Sequence, residues 1–260
     1  NDTDGKLNET HVTQPALLTA SVAIWRVIRE QGLEVSYLAG HSLGEYSALV
    51  CGGAMAFSDA VKLVEARGKY MQEAVPAGAG AMYAIIGLED AAIADICQQT
   101  AIATGDVVAP VNFNSPGQVV IAGEKNAAEQ AATACKEAGA KRALPLAVSV
   151  PSHCELMRPA ADKLEDALSS LDVHEPAINI VNNVDVTIET QGDAIKNALI
   201  RQLYCPVQWT RSVEYLAAAG VERVIEVGPG KVLTGLNKRI SKNLECLSVN
   251  TPEGVEALKQ

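Results

Sequence analysis

Residues 35–46 read Val35-Ser-Tyr-Leu-Ala-Gly-His-Ser-Leu-Gly-Glu-Tyr46. The apolar run 35–39 predicts a short strand, and residues 45–50 predict a helix. Between them, Gly40-His-Ser-Leu-Gly44 has the spacing G-x-S-x-G. That spacing arises by chance in chains with this much glycine and serine, so the strand and helix that flank it carry the weight. In this context Gly40 and Gly44 remove side chains where strand and helix backbones approach each other. Ser42 is then held at the tip of a sharp turn, on a helix N-terminus, as a candidate nucleophile. The Leu43 N–H points at an oxygen bound beside Ser42, which makes it one donor of an oxyanion hole.

Working outward, residues 15–30 predict a helix with Pro15 in its first turn and Leu17, Leu18, Val22, Trp25 and Ile28 at helical spacing. Ser58-Asp59 can cap a further helix running through Gln72. Pro76-Ala-Gly-Ala-Gly80 is the most linker-like stretch. After it, strands over 81–87, 107–112, 118–122 and 142–146 alternate with helices over 89–101 and 124–138. Asn114-Ser-Pro-Gly117 supplies the turn between the middle strands. The order β-α-β-β-α-β is the ferredoxin-like pattern. It predicts a small domain, 77–147, inserted into a larger one made of 1–76 and 148–260. The rest alternates helices (159–170, 193–204, 210–219, 231–242) with strands (177–181, 222–227, 245–249), which predicts an open α/β sheet.

Composition agrees. Of 260 residues, 48% are hydrophobic, 20% charged and only 4% aromatic. These values exclude disordered and collagen-like chains and imply a core of Ala, Val, Ile and Leu. Lys plus Arg total 21 and Asp plus Glu 31, a net charge of −10 that argues against a general nucleic-acid binder. No apolar run of transmembrane length occurs, and the first fifteen residues hold no secretory h-region. The six cysteines form no C-x-x-C pair, so no metal site is expected, and a reduced, cytoplasmic setting is.

A nucleophilic Ser42 needs a base. His11 lies in a polar leader and His174 in a surface turn. His41 adjoins Ser42 but points to the other side of the turn, where packing is its expected role. His153, in Ser149-Val-Pro-Ser-His-Cys154, is the candidate, a purely structural histidine being the alternative. Cys154 raises a Cys–His pairing, but neighbours in sequence rarely present side chains to each other. Glu226-Val-Gly-Pro-Gly-Lys231-Val232 superficially resembles a phosphate loop. It lacks the G-x-x-x-x-G-K-[ST] spacing, which argues against nucleotide triphosphate binding.

Gly40-His-Ser-Leu-Gly-Glu-Tyr-Ser47, Arg67-Gly68, Pro110-Val-Asn-Phe-Asn-Ser-Pro-Gly-Gln118, Ser149-Val-Pro-Ser-His153, Arg201-Gln-Leu-Tyr204 and Glu226-Val-Gly-Pro-Gly-Lys231 together resemble the bacterial malonyl-CoA:acyl carrier protein transacylase family. The likeness runs in order from Thr13 to at least Arg239. It implies an α/β-hydrolase-like large domain carrying the ferredoxin-like insert. It also implies a ping-pong transfer of malonyl from malonyl-CoA to the phosphopantetheine thiol of acyl carrier protein, in type II fatty acid synthesis. Ser42 would be the acylated nucleophile and His153 the base, oriented by the Gln202 backbone carbonyl. Arg67 would grip the malonyl carboxylate. By helical pattern alone Arg67 reads as a surface residue among Lys62, Glu65 and Lys69. Met71 and Asn114 match pocket-lining positions. The coenzyme A thioester is substrate, and no cofactor or metal is implied. Family members begin with a strand ending in Gly-Gln-Gly-Ser-Gln, whose first Gln supplies the second oxyanion N–H. The resemblance therefore implies that Asn1 lies inside a longer protein. A chain truly beginning there is expected to fold poorly and turn over little, one lost donor alone costing on the order of 10²–10³ in rate.

Acyl carrier proteins are acidic, so docking to this acidic chain needs a local basic face. Lys231, Lys238 and Arg239, with Lys242, form one candidate face, and Lys136, Lys141 and Arg142 a second. A monomer is expected. The competing functions are a serine hydrolase or thioesterase using the same turn, and a non-catalytic carrier-protein-binding module.

Overall fold

The computed structural model of the chain describes residues 2, 5–147 and 150–258. It is a mixed α/β protein. Helix α1 (Thr10–Glu30) turns Leu18, Val22, Trp25 and Ile28 inward. It begins five residues before the predicted start, so His11 is helical and Pro15 is interior rather than in the first turn. An interior Pro15 cannot donate the backbone hydrogen bond of its turn. Helix α3 (Phe57–Ala74) presses against this end of α1 at Gly68, where a Cβ would lie 2.4 Å from the His11 Cα.

Strand β1 (Tyr37–Ala39) leads through the Gly40–Ser42 turn into α2 (Leu43–Cys51). Then come β2 (Gly80–Ile86), α4 (Asp90–Thr104), β3 (Val108–Ser115), β4 (Gln118–Glu124), α5 (Lys125–Glu137) and β5 (Arg142–Pro145). The four strands form one antiparallel sheet in the order β3-β4-β2-β5. Strand periodicity sorts its two faces. Ala81, Tyr83 and Ile85 of β2, with Val119 and Ile121 of β4, pack under α4 and α5 against Ile93, Ala131 and Cys135. Met82, Ala84, Val120 and Ala122 face the other way, onto Cys154. This second contact lays the sheet beside His153.

The later elements are α6 (Arg158–Ser169), β6 (Asn179–Val181), α7 (Gly192–Gln202), α8 (Trp209–Ala218), β7 (Arg223–Val227), α9 (Val232–Ile240), β8 (Glu245–Val249) and α10 (Pro252–Ala257). Helix α10 has no sequence counterpart above; Thr251 caps it by accepting the Gly254 N–H at 3.3 Å. The strands expected in an open α/β sheet form two parallel pairs, β1 with β6 and β7 with β8. A cleft of about 950 Å³ separates the pairs, with Tyr37, Leu38 and Ala39 on one wall and Val224, Ile225 and Val227 on the other. The main core gathers α1, α2, α3, α6 and α7 around β6 through Leu18, Leu49, Leu63, Leu164, Ile180 and Leu199. No described helix is long and apolar enough to cross a membrane. Val148 and Ser149, at the expected domain boundary and in the Ser149–His153 motif, lie outside the described residues, as do Asn1 and Gln260 at the expected domain ends.

Candidate active site

The turn after β1 closes because residue 40 is glycine. A Cβ there would lie 2.0 Å from both the carbonyl carbon and oxygen of Gly44. Ser42 takes φ 52° and ψ −109°, a region that side-chain-bearing residues rarely adopt. Asn183, just past β6, straps this conformation in place. Its Oδ1 accepts the Ser42 N–H at 2.7 Å and its Nδ2 donates to the Gly40 carbonyl at 2.7 Å. With Ser42 N–H engaged, the Leu43 N–H at the start of α2 has no acceptor among the described residues.

His153 is 4% exposed and has φ 65°. Its Nδ1–H donates to the Gln202 carbonyl at 2.6 Å, and Ser42 Oγ lies 2.8 Å from Nε2. The carbonyl can only accept, so it fixes the proton on Nδ1 and leaves Nε2 as acceptor for the serine hydroxyl. Burial, reinforced by the nearby Arg67 charge, pushes the His153 pKa down to about 3. The ring is therefore neutral at pH 7 and able to take a proton.

Arg67 corrects the surface reading of its helix: it is 1% exposed, on the inward stripe of α3 with Leu63, Val64 and Met71. Nη1 donates to Gln14 Oε1 at 2.6 Å, and Nη2 donates to Gln202 Oε1 at 3.0 Å and Ser42 Oγ at 3.3 Å. Its carbon Cζ lies 5.3 Å from the Tyr46 ring centroid, and its Nε has no partner. Among the described residues no carboxylate forms an ion pair with it. A buried, multiply held guanidinium beside a nucleophile, with the Glu45 carboxylate acting on it only from a distance, is suited to receive an anionic ligand group.

Gln202 joins these groups. Besides its carbonyl on His153 and its Oε1 on Arg67, its Nε2 donates to the Ser42 carbonyl at 3.1 Å and to Glu45 Oε2 at 2.7 Å. Glu45 is 3% exposed, and burial pushes its carboxyl up to about 7. Met71 is buried one turn beyond Arg67, its sulfur receiving Gln14 Nε2 at 3.6 Å. Asn114 does not reach Ser42; its Oδ1 bonds His41 Nε2 at 2.8 Å, at the mouth of the cleft. His41 tilts over Trp209, its ring centroid 5.7 Å away, and does not contact the nucleophile.

Other candidates lie elsewhere. The Cys154 thiol donates to the Pro151 carbonyl, facing the small sheet, so no Cys–His pair forms. His11 bonds Gln72 and His174 is exposed. Glu226 caps α9 itself, accepting the Leu233 and Thr234 N–H groups at 3.1 and 2.7 Å, where a phosphate would otherwise bind. Lys231, Lys238 and Arg239 are exposed and outside the site. Arg239 reaches Gln118 Oε1, and Gln118, Ile86 and Arg142 lie in register across β4, β2 and β5, which brings the first basic candidate to the sheet that carries Arg142 of the second. No cluster of His, Cys, Asp and Glu that could hold a metal ion occurs among the described residues. Sequence reasoning missed Gln14, Glu45 and Asn183. The first two carried a signal, each being polar at an inward position of a helix.

A family model described as an acyl transferase domain matches residues 1–251. The malonyl CoA-acyl carrier protein transacylase of Escherichia coli K12 is 64% identical over 253 residues, covering 97% of this chain and 81% of the relative. The Bacillus subtilis protein of that name is 46% identical over 251 residues, covering 96% and 79%. The crystal structure of an acyl carrier protein S-malonyltransferase from Vibrio cholerae superposes with a TM-score of 0.96 at 63% identity, covering 98% of this chain and 83% of that one. A malonyl-transacylase solved in complex with a type II PKS acyl-carrier protein gives 0.95 at 59% identity, covering 98% and 82%.

Proposed function

The chain belongs to the acyl transferase family, and we propose that it transfers malonyl from malonyl-CoA to the phosphopantetheine thiol of acyl carrier protein, as in type II fatty acid synthesis. The observation that carries this reading is Arg67, buried and without an ion pair 3.3 Å from the Ser42 hydroxyl. A malonyl ester on Ser42 would carry its free carboxylate one methylene beyond the ester carbonyl, within reach of that guanidinium.

In the proposed cycle His153 Nε2 takes the Ser42 proton as Oγ bonds to the thioester carbon. The displaced carbonyl electrons form an oxyanion that faces the Leu43 N–H and the α2 N-terminus. Collapse breaks the C–S bond, and the leaving CoA sulfur takes the proton from His153. The carrier thiol then attacks malonyl-Ser42 by the same steps in reverse. One thioester replaces another of similar energy, so the reading calls for no cofactor. Pairing of Arg67 with the carboxylate would also cancel part of the positive field that holds His153 neutral, favouring proton transfer when the correct acyl group is bound. An acetyl group leaves the guanidinium unpaired and forgoes both effects.

We read residues 77–147 as a ferredoxin-like domain inserted in an α/β-hydrolase-like domain made of 1–76 and 148–260. The order β3-β4-β2-β5 with α4 and α5 on one face supports the insert, and the strand–turn–helix around Ser42 supports the host. The six unpaired cysteines support a reducing, cytoplasmic setting. Arg239, Lys238, Lys141 and Arg142, all exposed, suit an acidic carrier. Intact-protein mass spectrometry after malonyl-CoA tests the function. A malonyl adduct on Ser42 that clears on adding carrier protein supports transfer. An adduct cleared by water indicates a hydrolase, and no adduct indicates a binding module.

A further inference from the structure

We propose that Glu45 is a positioning residue that fixes the polarity of the Gln202 side-chain amide, so that its oxygen and not its NH₂ group faces Arg67. The proposal rests on Arg67 receiving the acyl carboxylate. Glu45 lies in the first turn of α2 and hydrogen-bonds neither Arg67 nor the Ser42 hydroxyl. Its Oε2 accepts Gln202 Nε2 at 2.7 Å and the Asn183 N–H at 3.1 Å. The second hydrogen on Gln202 Nε2 goes to the Ser42 carbonyl at 3.1 Å. Both amide hydrogens are thereby committed to acceptors, and Oε1 is left to take Arg67 Nη2 at 3.0 Å.

The reversed amide fails at every contact. It would set NH₂ against the guanidinium, which only donates, and oxygen against the Ser42 carbonyl, which only accepts, and against Glu45 Oε2, which already accepts the Asn183 N–H. The acceptor oxygen at residue 45 therefore dictates which end of Gln202 meets Arg67. The relay has a second consequence. A carboxylate touching Arg67 directly would form the ion pair that an incoming malonyl group needs. Placing a neutral amide between Glu45 and Arg67 anchors the guanidinium while its charge stays open to the ligand. Glu45 also holds the Asn183 N–H, whose side chain straps the turn, so one carboxylate braces both the nucleophile and the arginine.

The test compares Glu45→Leu with Glu45→Gln, each checked for folding by thermal melt. Ser42 acylation by malonyl-CoA and by acetyl-CoA is followed by intact mass. Ser42 labelling by a fluorophosphonate, which carries no carboxylate, is measured in parallel. Both bonds end on one oxygen, so a glutamine at this position can keep them. Glu45→Gln is therefore expected to hold the malonyl:acetyl ratio of kcat/KM within about threefold of the parent. Glu45→Leu should lower the ratio by about 10–100-fold, with a smaller loss in fluorophosphonate labelling. A folded Glu45→Leu protein with the parent ratio overturns the proposal. Gln202→Glu asks the same question with Glu45 intact, because it puts a carboxylate against Arg67. The ratio should fall there as well, and an unchanged ratio likewise overturns the proposal, including where Glu45→Leu does not fold. A parent chain that labels with fluorophosphonate but gains no malonyl overturns the functional reading itself.

Discussion

Replacing Arg67 by alanine should remove the preference for malonyl while sparing the chemistry at Ser42. The guanidinium is within hydrogen-bond distance of Ser42 Oγ, so an acyl group on that oxygen starts beside it. A bidentate arginine–carboxylate pair comprises two charge-assisted hydrogen bonds, each contributing about 1.5–3 kcal/mol. Their sum, ~3–6 kcal/mol, corresponds to a loss of about 10²–10⁴ in kcat/KM for malonyl-CoA. Acetyl-CoA makes no such pair and is relieved of the unpaired buried cation, so its kcat/KM should change by less than about tenfold.

Stability must be separated from specificity. The substitution leaves the Oε1 atoms of Gln14 and Gln202 without their Arg67 donors, a cost of about 1–3 kcal/mol for each buried acceptor. Urea titration measures that loss, and acylation rates are then compared under conditions where both proteins are folded. Arg67→Lys retains the charge without the fork and should fall between the two. An Arg67→Ala protein that is folded and keeps its malonyl:acetyl ratio within about threefold refutes the assignment of this residue.

Four further outcomes are expected. With His153 depressed to about 3, its folded pKa lies below the ordinary 6.5, so Ser42 acylation should show no acid limb near pH 6.5; a rate falling by half at that pH counts against the neutral base. The Glu45 carboxyl is raised from 4.5 to about 7, so its contribution to stability is complete below pH 4.5 and is lost as pH rises through 7; melts of the parent against Glu45→Gln should diverge across that window, and parallel curves contradict the shift. Gly40→Ala, whose Cβ would meet Gly44 backbone at 2.0 Å, should abolish fluorophosphonate labelling of Ser42, and normal labelling would show that the turn is not as tight as argued. Gly68→Ala drives a Cβ to 2.4 Å from the His11 Cα and should cost about 1–3 kcal/mol by prising α1 from α3, measurable by chemical denaturation as a shifted midpoint.

Local chemistry made much of this architecture readable. The turn at Ser42 declares itself because only glycine tolerates the backbone contact at position 40, and the small sheet because strands and helices follow in the order β-α-β-β-α-β with the Asn114–Gly117 turn between the middle strands. What escaped was long-range. Nothing in residues 37–39 says that they pair in parallel with 179–181, or in residues 223–227 that they pair with 245–249, because such pairing is set by tertiary packing of distant segments. The start of α1 escaped for a related reason. Pro15 is read locally as a first-turn residue, whereas α1 runs five residues further toward the N-terminus, where His11 packs against Gly68 of α3.

Arg67 marks the more instructive gap, because the signal was present and local reading discounted it. Charged neighbours at 62, 65 and 69 suggested a solvated surface, yet helical periodicity puts residue 67 on the stripe of Leu63, Val64 and Met71. The same holds for Gln14 on the stripe of Leu18, Val22 and Trp25, and for Gln202 on that of Ile195, Ala198 and Leu199. Glu45 is likewise buried among Tyr46, Ala48 and Leu49. Each would be destabilising alone, since a buried polar group without a partner costs about 1–3 kcal/mol. Four helices each commit this apparent error, and the four side chains meet in one network around Ser42. A single polar residue on an apolar stripe is weak evidence of function, because one buried partner suffices to explain it. Several on different helices are stronger evidence, because only a common meeting point satisfies them all, and here that point is the nucleophile.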